Sequence, residues 1–300
     1  MKAHLGIAPI AWSNDDLPEL GGDTPLETCL AQAAKAGFCG IETGGKFPSD
    51  TASLRAALAP HDLRLCGGWY SGTILDQDLE QEIDQAYRQL ELFRDLGAPC
   101  MVYGETAGTI QNIRDVTMDK RRLLDDQQLR TYAHRLSRFC EWAHDQGMPI
   151  ALHHHMGTVI EREHELDIVM NNSSPAVKLT LDTGHMVFGH GNNLNVIRKY
   201  AHRIIHVHTK DIRASVLKEI DSTQHSFLDA VLAGVFTVPG DGGIDFASII
   251  TCLAEHEYEG WFVVEAEQDP QKANPYEYAC MGCAHLHNLL QQAGYEILRA

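Results

Sequence analysis

The residues best equipped for chemistry lie in four short runs in the second half of the chain. They are Ala151-Leu152-His153-His154-His155, Thr180-Leu181-Asp182-Thr183-Gly184-His185, His206-Val207-His208-Thr209-Lys210-Asp211 and Val264-Glu265-Ala266-Glu267. Each follows or closes an apolar stretch that reads as a strand. Alternate residues of a strand share a face, so His153 goes with His155, His206 with His208 and Lys210, and Glu265 with Glu267. Carboxylates and imidazoles converging on one rim repel one another and resist desolvation unless a cation sits among them. A divalent metal meets that need. Oxygen and nitrogen donors without a thiolate favour Mn²⁺, Co²⁺, Mg²⁺ or Zn²⁺ over copper(I) or iron–sulfur. A single strand-end His or Asp is more often a hydrogen-bonded structural residue, but four strand ends in agreement favour the metal.

These runs need elements to bring them together. Short apolar runs at Leu5–Trp12, Gly40–Thr43, Arg64–Trp69, Cys100–Gly104, Pro149–His155, Lys178–Asp182, Ile204–Thr209 and Trp261–Glu265 alternate with longer amphipathic stretches. The helical patterns fall near 24–36, 51–60, 77–96, 126–146, 162–171, 193–201, 245–257 and 276–293, with Asp23 or Thr24 as N-cap to the first and Gly37, Gly97 and Gly147 at C-terminal ends. Eight strand–helix units predict a single α/β domain over residues 1–300, a closed (β/α)8 TIM barrel whose C-terminal mouth carries the polar runs. A doubly wound open sheet is the alternative, and neither GxGxxG nor a Walker sequence supports a nucleotide fold. The long irregular stretch at 211–244, ending in Pro239-Gly240-Asp241-Gly242-Gly243, reads as a lid or active-site wall.

Composition narrows the partners. A formal charge of −17 repels nucleic acid and anionic membrane, and Lys120-Arg121-Arg122 is too short a basic patch to reverse that. No secretory pattern follows Met1-Lys2-Ala3-His4 and no apolar run reaches membrane-spanning length, so a cytoplasmic location is expected. The eight scattered cysteines suit reduced, packed thiols, and Cys280 and Cys283 share one face of the last helix.

The DxxH at Asp182–His185, the HxHxKD at His206–Asp211 and the late Val263-Val264-Glu265-Ala266-Glu267 resemble the sugar isomerase/epimerase superfamily of xylose-isomerase-like barrels. Further segments are similar to its inosose dehydratase family: Gly6 through Asp16, Gly44-Gly45-Lys46-Phe47-Pro48, Gly68-Trp69-Tyr70-Ser71-Gly72, His153 through Thr158 and Pro239-Gly240-Asp241-Gly242. The resemblance spans nearly the whole chain. It implies a metal, Mn²⁺ or Co²⁺, held by Asp182, His208 and Glu265. A strand-five Glu completes the set in the superfamily; His153 stands there in this chain, so Glu161 is expected to swing back as the fourth ligand, with His153 its rival. The implied reaction removes water from 2-keto-myo-inositol to give a trihydroxycyclohexane-dione.

Such a site needs a base and an acid working near neutral pH, which suits histidine. His155 and His185 are the candidates, with Lys210 and Glu267 tuning charge beside them. His185 could instead orient Asp182. Trp12, Asn14, Glu42 and Lys46 are expected to bind the polyol ketone. A ketose isomerase or epimerase would use the same enediolate, a phosphodiesterase of the DNA-repair type would need a basic surface, and a non-catalytic polyol-binding barrel would need no acid or base. Barrels of this kind are often homodimers or homotetramers.

Overall fold

The structure, a computed structural model, describes residues 1–299. Its strands are β1 (Lys2–Ile7), β2 (Gly40–Thr43), β3 (Arg64–Gly72), β4 (Met101–Glu105), β5 (Ile150–His153), β6 (Val177–Asp182), β7 (Ile204–Thr209), β8 (Asp211–Ile212), β9 (Phe236–Thr237), β10 (Gly260–Val264) and β11 (Glu296–Leu298). The parallel strands β1 to β7 run in sequence order, β10 follows β7, and β10 pairs with β1 in register from Ala3 opposite Gly260 to Ile7 opposite Val264. That closure makes the chain a single (β/α)8 barrel and removes the exposed sheet edges of an open alternative. β11 adds in parallel to the start of β1.

Local chemistry sets the boundaries. The expected strand through Trp12 stops at Ile7 because Pro9 opens a 3-10 turn at Pro9–Ala11. Helices Leu79–Asp95 and Asp126–Asp145 each begin with a capping box, Asp78 with Gln81 and Asp125 with Gln128. Helix Leu26–Ala36 ends on Gly37 at φ 106°, as the sequence predicts, but neither Asp23 nor Thr24 caps its start: Pro25 holds that position without a side-chain bond. Phe93, Tyr103, Tyr132 and Phe139, all fully buried, pack the barrel against its helices.

Two irregularities aim the polar residues. Between β2 and β3 the register steps from Ile41 opposite Leu65 to Glu42 opposite Gly67, leaving Cys66 as an extra residue. Between β6 and β7 it steps from Leu179 opposite Ile204 to Thr180 opposite His206, leaving Ile205 extra. A bulge of this kind re-aims side chains at a barrel rim.

The stretch 211–244, expected to be irregular, is folded. β8 and β9 pair antiparallel, helix Phe227–Ala233 lies between them, and Phe227, Val231 and Phe236 form part of a second apolar cluster with Met156 and Phe188. Asp211 gathers the closing loop: its Oδ1 accepts from Ile212 and Ile244 N–H at 2.7 and 2.9 Å, and its Oδ2 from Gly240 and Gly242 N–H at 3.2 and 3.1 Å. Arg213 ties Asp241 from below at 2.7 Å. Among the described residues no helix is long and apolar enough to cross a membrane. All eight cysteines are free, and seven are buried.

Candidate active site

Asp182 ends β6 and also caps the helix Thr183–Phe188, its Oδ1 accepting the His185 N–H at 2.8 Å. Its second oxygen, Oδ2, is left buried with no hydrogen bond. Three other groups turn toward that oxygen: His153 Nε2 at 3.5 Å, His208 Nδ1 at 3.6 Å and the Lys210 ammonium at 3.5 Å. Glu265, just past β10, puts Oε2 2.6 Å from His208 Nδ1, yet neither atom makes a properly angled hydrogen bond. Donor atoms of His153, Asp182, His208 and Glu265 thus lie within 4.8 Å of one another. Lone pairs aimed at a common point instead of at each other, in a mixed oxygen and nitrogen set, fit a hard divalent cation.

Lys210 organises the carboxylates. Its fully buried ammonium bonds Glu267 Oε1 at 2.6 Å and His185 Nε2 at 2.7 Å and lies 3.0 Å from Glu265 Oε1. Burial works to lower its pKa, but Asp182, Glu265 and Glu267 outweigh it and hold the ammonium charged. Burial followed by the same ammonium drives His185 well below the usual histidine range. Glu265 is pushed the other way by burial, yet Lys210 and His208 bring it down to about 2.

His155 occupies a different position. Its Nδ1 lies 2.8 Å from the Met156 carbonyl, which can only accept, so Nδ1 carries the proton and the Nε2 lone pair is left over. The ring is wedged between His185 at 4.0 Å, Phe227 at 5.1 Å and Trp69 at 5.5 Å. It lines the cleft at the barrel mouth together with His153, His208, Glu265, Glu267 and Trp69.

Several expected site residues sit elsewhere. Glu161 does not join the quartet: its carboxylate accepts the Gly157 N–H at 2.9 Å and pairs with buried Arg121 at 3.4 Å, whose guanidinium also binds Glu165. His153 takes the fourth place in its stead. His185 is fully buried, is not among the residues lining the cleft, and has Nε2 bonded to Lys210. Lys210 and Glu267 meet as a buried ion pair at 2.6 Å. Lys46 donates to the carbonyls of Gly21, Gly22 and Thr24 at 3.1, 2.7 and 2.6 Å, so it staples a loop. Trp12 is buried with its indole N–H on Gln32, and Asn14 receives the Asp16 and Leu17 N–H groups as a turn-former. Glu42 does line the cleft, bonded to His206 and His208.

Sequence reasoning missed Asp16, Gln111 and Trp69, which line the cleft. Gln111 donates from Nε2 to Asp16 Oδ2 at 3.3 Å, and burial raises the Asp16 carboxyl above the usual range. Asp16 was visible as half of Asp15-Asp16; nothing marked Gln111, which reaches the site from a loop. Trp69 owes its place to Gly104 on β4, where a Cβ would overlap the indole.

This barrel with a polar quartet at its mouth belongs to the xylose isomerase-like TIM barrel family, whose model matches residues 30–284. Two relatives narrow the comparison. The chain is 43% identical to the rhizopine catabolism protein MocC of Rhizobium meliloti over 100% of its own length and 92% of that protein's. It is 42% identical to inosose dehydratase 1 of Bacillus cereus, over 92% of this chain and 93% of the relative. Inosose dehydratases recur among the matched proteins at about this level, and the chain is an enzyme of that type. Among solved structures it is similar in fold to the IOLI protein, crystallised with a zinc atom, at 16% identity and a TM-score of 0.69, covering 97% of each chain.

Proposed function

We propose that the chain is a metal-dependent dehydratase that removes water from 2-keto-myo-inositol to give a trihydroxycyclohexane-1,2-dione. The observation that carries this reading is the convergence of His153, Asp182, His208 and Glu265 on one point beside a cleft-facing His155, in a chain about 42% identical to inosose dehydratases. These four residues would hold a divalent ion, Mn²⁺ or Co²⁺, which when bound supplies Lewis-acid polarisation of the substrate ketone.

The remaining work falls to side chains. His155, with Nδ1–H committed to the Met156 carbonyl, uses Nε2 to take the proton from the carbon next to the ketone. The electron pair released forms the carbon–carbon double bond of an enediolate. The imidazolium then protonates the hydroxyl on the next carbon, that C–O bond breaks, and water leaves. The enol left behind tautomerises to the second ketone, so one substrate gives one dione and one water. Trp69 and Phe227 keep the His155 ring in place through both steps. Asp16 and Gln111 face the cleft as acceptor and donor for ring hydroxyls remote from the reacting carbons. Glu267, fixed by Lys210, accepts from another.

Incubating Mn²⁺- or Co²⁺-loaded protein with 2-keto-myo-inositol should produce an ultraviolet-absorbing dione, one per substrate consumed. Loss of substrate without dione, alongside epimerisation of a ketose, would assign the site to proton return to carbon and overturn the dehydratase reading.

A further inference from the structure

Glu42 spans the barrel interior. It leaves β2, and its Oε1 meets His206 Nε2 at 2.8 Å and His208 Nε2 at 3.0 Å on β7, across the closed sheet. A carboxylate oxygen has lone pairs and no proton to give, so each ring nitrogen facing it carries the hydrogen. That keeps the hydrogen on Nε2 of His208 and leaves Nδ1, the nitrogen turned toward Asp182 Oδ2 and Glu265 Oε2, as the one that gives up its proton when metal binds.

The backbone accommodates this contact at several places. The extra residue Cys66 brings Gly67 opposite Glu42, and Gly67 holds φ 149°, which side-chain-bearing residues rarely adopt. A Cβ at Gly67 would stand 3.1 Å from Glu42 Oε1 and 3.4 Å from His206 Cε1, closing the space in which the carboxylate and imidazole meet. On the other side, the extra Ile205 sets the phase that turns both His206 and His208 inward. A residue that merely filled the cleft floor would need neither bulge.

We propose that Glu42 is a positioning residue: it locks His208 as the Nε2–H tautomer and so presents Nδ1 as the nitrogen that takes the metal. The inference rests on the metal-dependent reading above and replaces the expectation that Glu42 binds substrate. His206 shares the carboxylate and keeps it from swinging toward the cleft. Outer carboxylates that orient a ligating histidine typically change metal affinity about 10- to 100-fold when removed.

The test combines two variants with a measurement on the unaltered protein. Long-range ¹⁵N–¹H NMR of histidine-labelled protein loaded with diamagnetic Zn²⁺ reads the His208 tautomer directly. Expected is a protonated Nε2 and a metal-shifted Nδ1. Metal affinity is then measured by chelator competition for wild type, Glu42→Gln and Glu42→Met, with circular dichroism as the check on folding. Glu42→Met, which removes the acceptor, should weaken binding about 10- to 100-fold, and Glu42→Gln, which keeps an acceptor oxygen, clearly less. Nδ1–H on His208 in the loaded wild type overturns the proposal, as does a folded Glu42→Met with wild-type affinity. Equal losses in the two variants would make Glu42 a simple charge and overturn it too. Should Glu42→Met not fold, the wild-type tautomer still decides. A wild type that binds no divalent metal refutes the metal-dependent reading itself, which keeps the two failures apart.

Discussion

Replacing Lys210 with methionine keeps the aliphatic stem and removes one buried charge. The ammonium lies 2.6 Å from Glu267 Oε1, 3.0 Å from Glu265 Oε1 and 3.5 Å from Asp182 Oδ2, and all four side chains are at most 12% exposed. Removing one partner of a buried ion pair costs about 3–5 kcal/mol because the other is left uncompensated. With roughly 2–4 °C per kcal/mol in chains somewhat smaller than this one, the metal-free Tm should fall by about 6–20 °C. A divalent ion among His153, Asp182, His208 and Glu265 would supply the missing positive charge, so the loss should be smaller in metal-loaded protein. Saturation at about a hundred times Kd already adds about 2.7 kcal/mol to the folded state. Differential scanning calorimetry of both proteins, with and without Mn²⁺, measures the two gaps. Equal losses in the two states, or a metal-free loss under about 2 °C, would refute the view that Lys210 neutralises the ligand carboxylates.

His155→Gln should lower kcat by about 10²–10⁴ with metal affinity unchanged, which separates proton transfer from metal binding in one dione assay plus one titration. Asp211→Ala should cost on the order of 3 kcal/mol in urea unfolding, since four backbone N–H groups lose a charged acceptor. Burial raises Glu105 from 4.5 to about 8 despite three donors to its oxygens. A raised folded pKa means that its contribution is present below about pH 4.5 and is lost as pH rises through about 8; Glu105→Gln should therefore flatten stability over that window and be the more stable protein at pH 8, by up to about 5 kcal/mol. Burial works to lower His208, but Glu42 and Glu265 hold it well above the usual histidine range, so metal uptake at pH 7 should release about one proton. Calorimetric titration in buffers of different ionisation enthalpy counts it, and a count of zero would show that Nδ1 is already bare.

The barrel and most of its strand ends were legible because parallel strands buried on both faces make polar termini conspicuous. Period two correctly grouped His206 with His208, which meet on Glu42. The same rule cannot follow the chain past a strand. His185 lies beyond Asp182 in a helix that Asp182 itself caps, so its ring turns behind the cleft toward Lys210. Glu161 was drawn away by Arg121, far earlier in the chain, a pairing no local pattern announces. Lys46 and Trp12 have the right chemistry for a polyol, but nearer partners, three carbonyls and Gln32, claim their donors. The bulges at Cys66 and Ile205 were equally hidden, since an extra residue in a strand changes register without changing composition.

Charge explains why this interior can hold so many acidic groups. Glu42, Asp182, Glu265 and Glu267 are buried in one connected network, and Lys210 is the one lysine or arginine among the described residues that pairs with any of them. Three negative charges are then left over, a large deficit in a medium of low dielectric. A monovalent ion would leave two. A divalent ion leaves one. In the proposed reaction a metal would polarise the ketone while His155 moves the proton that lets water leave. The carboxylate excess, set against one fixed ammonium, is the charge that such a cation would offset.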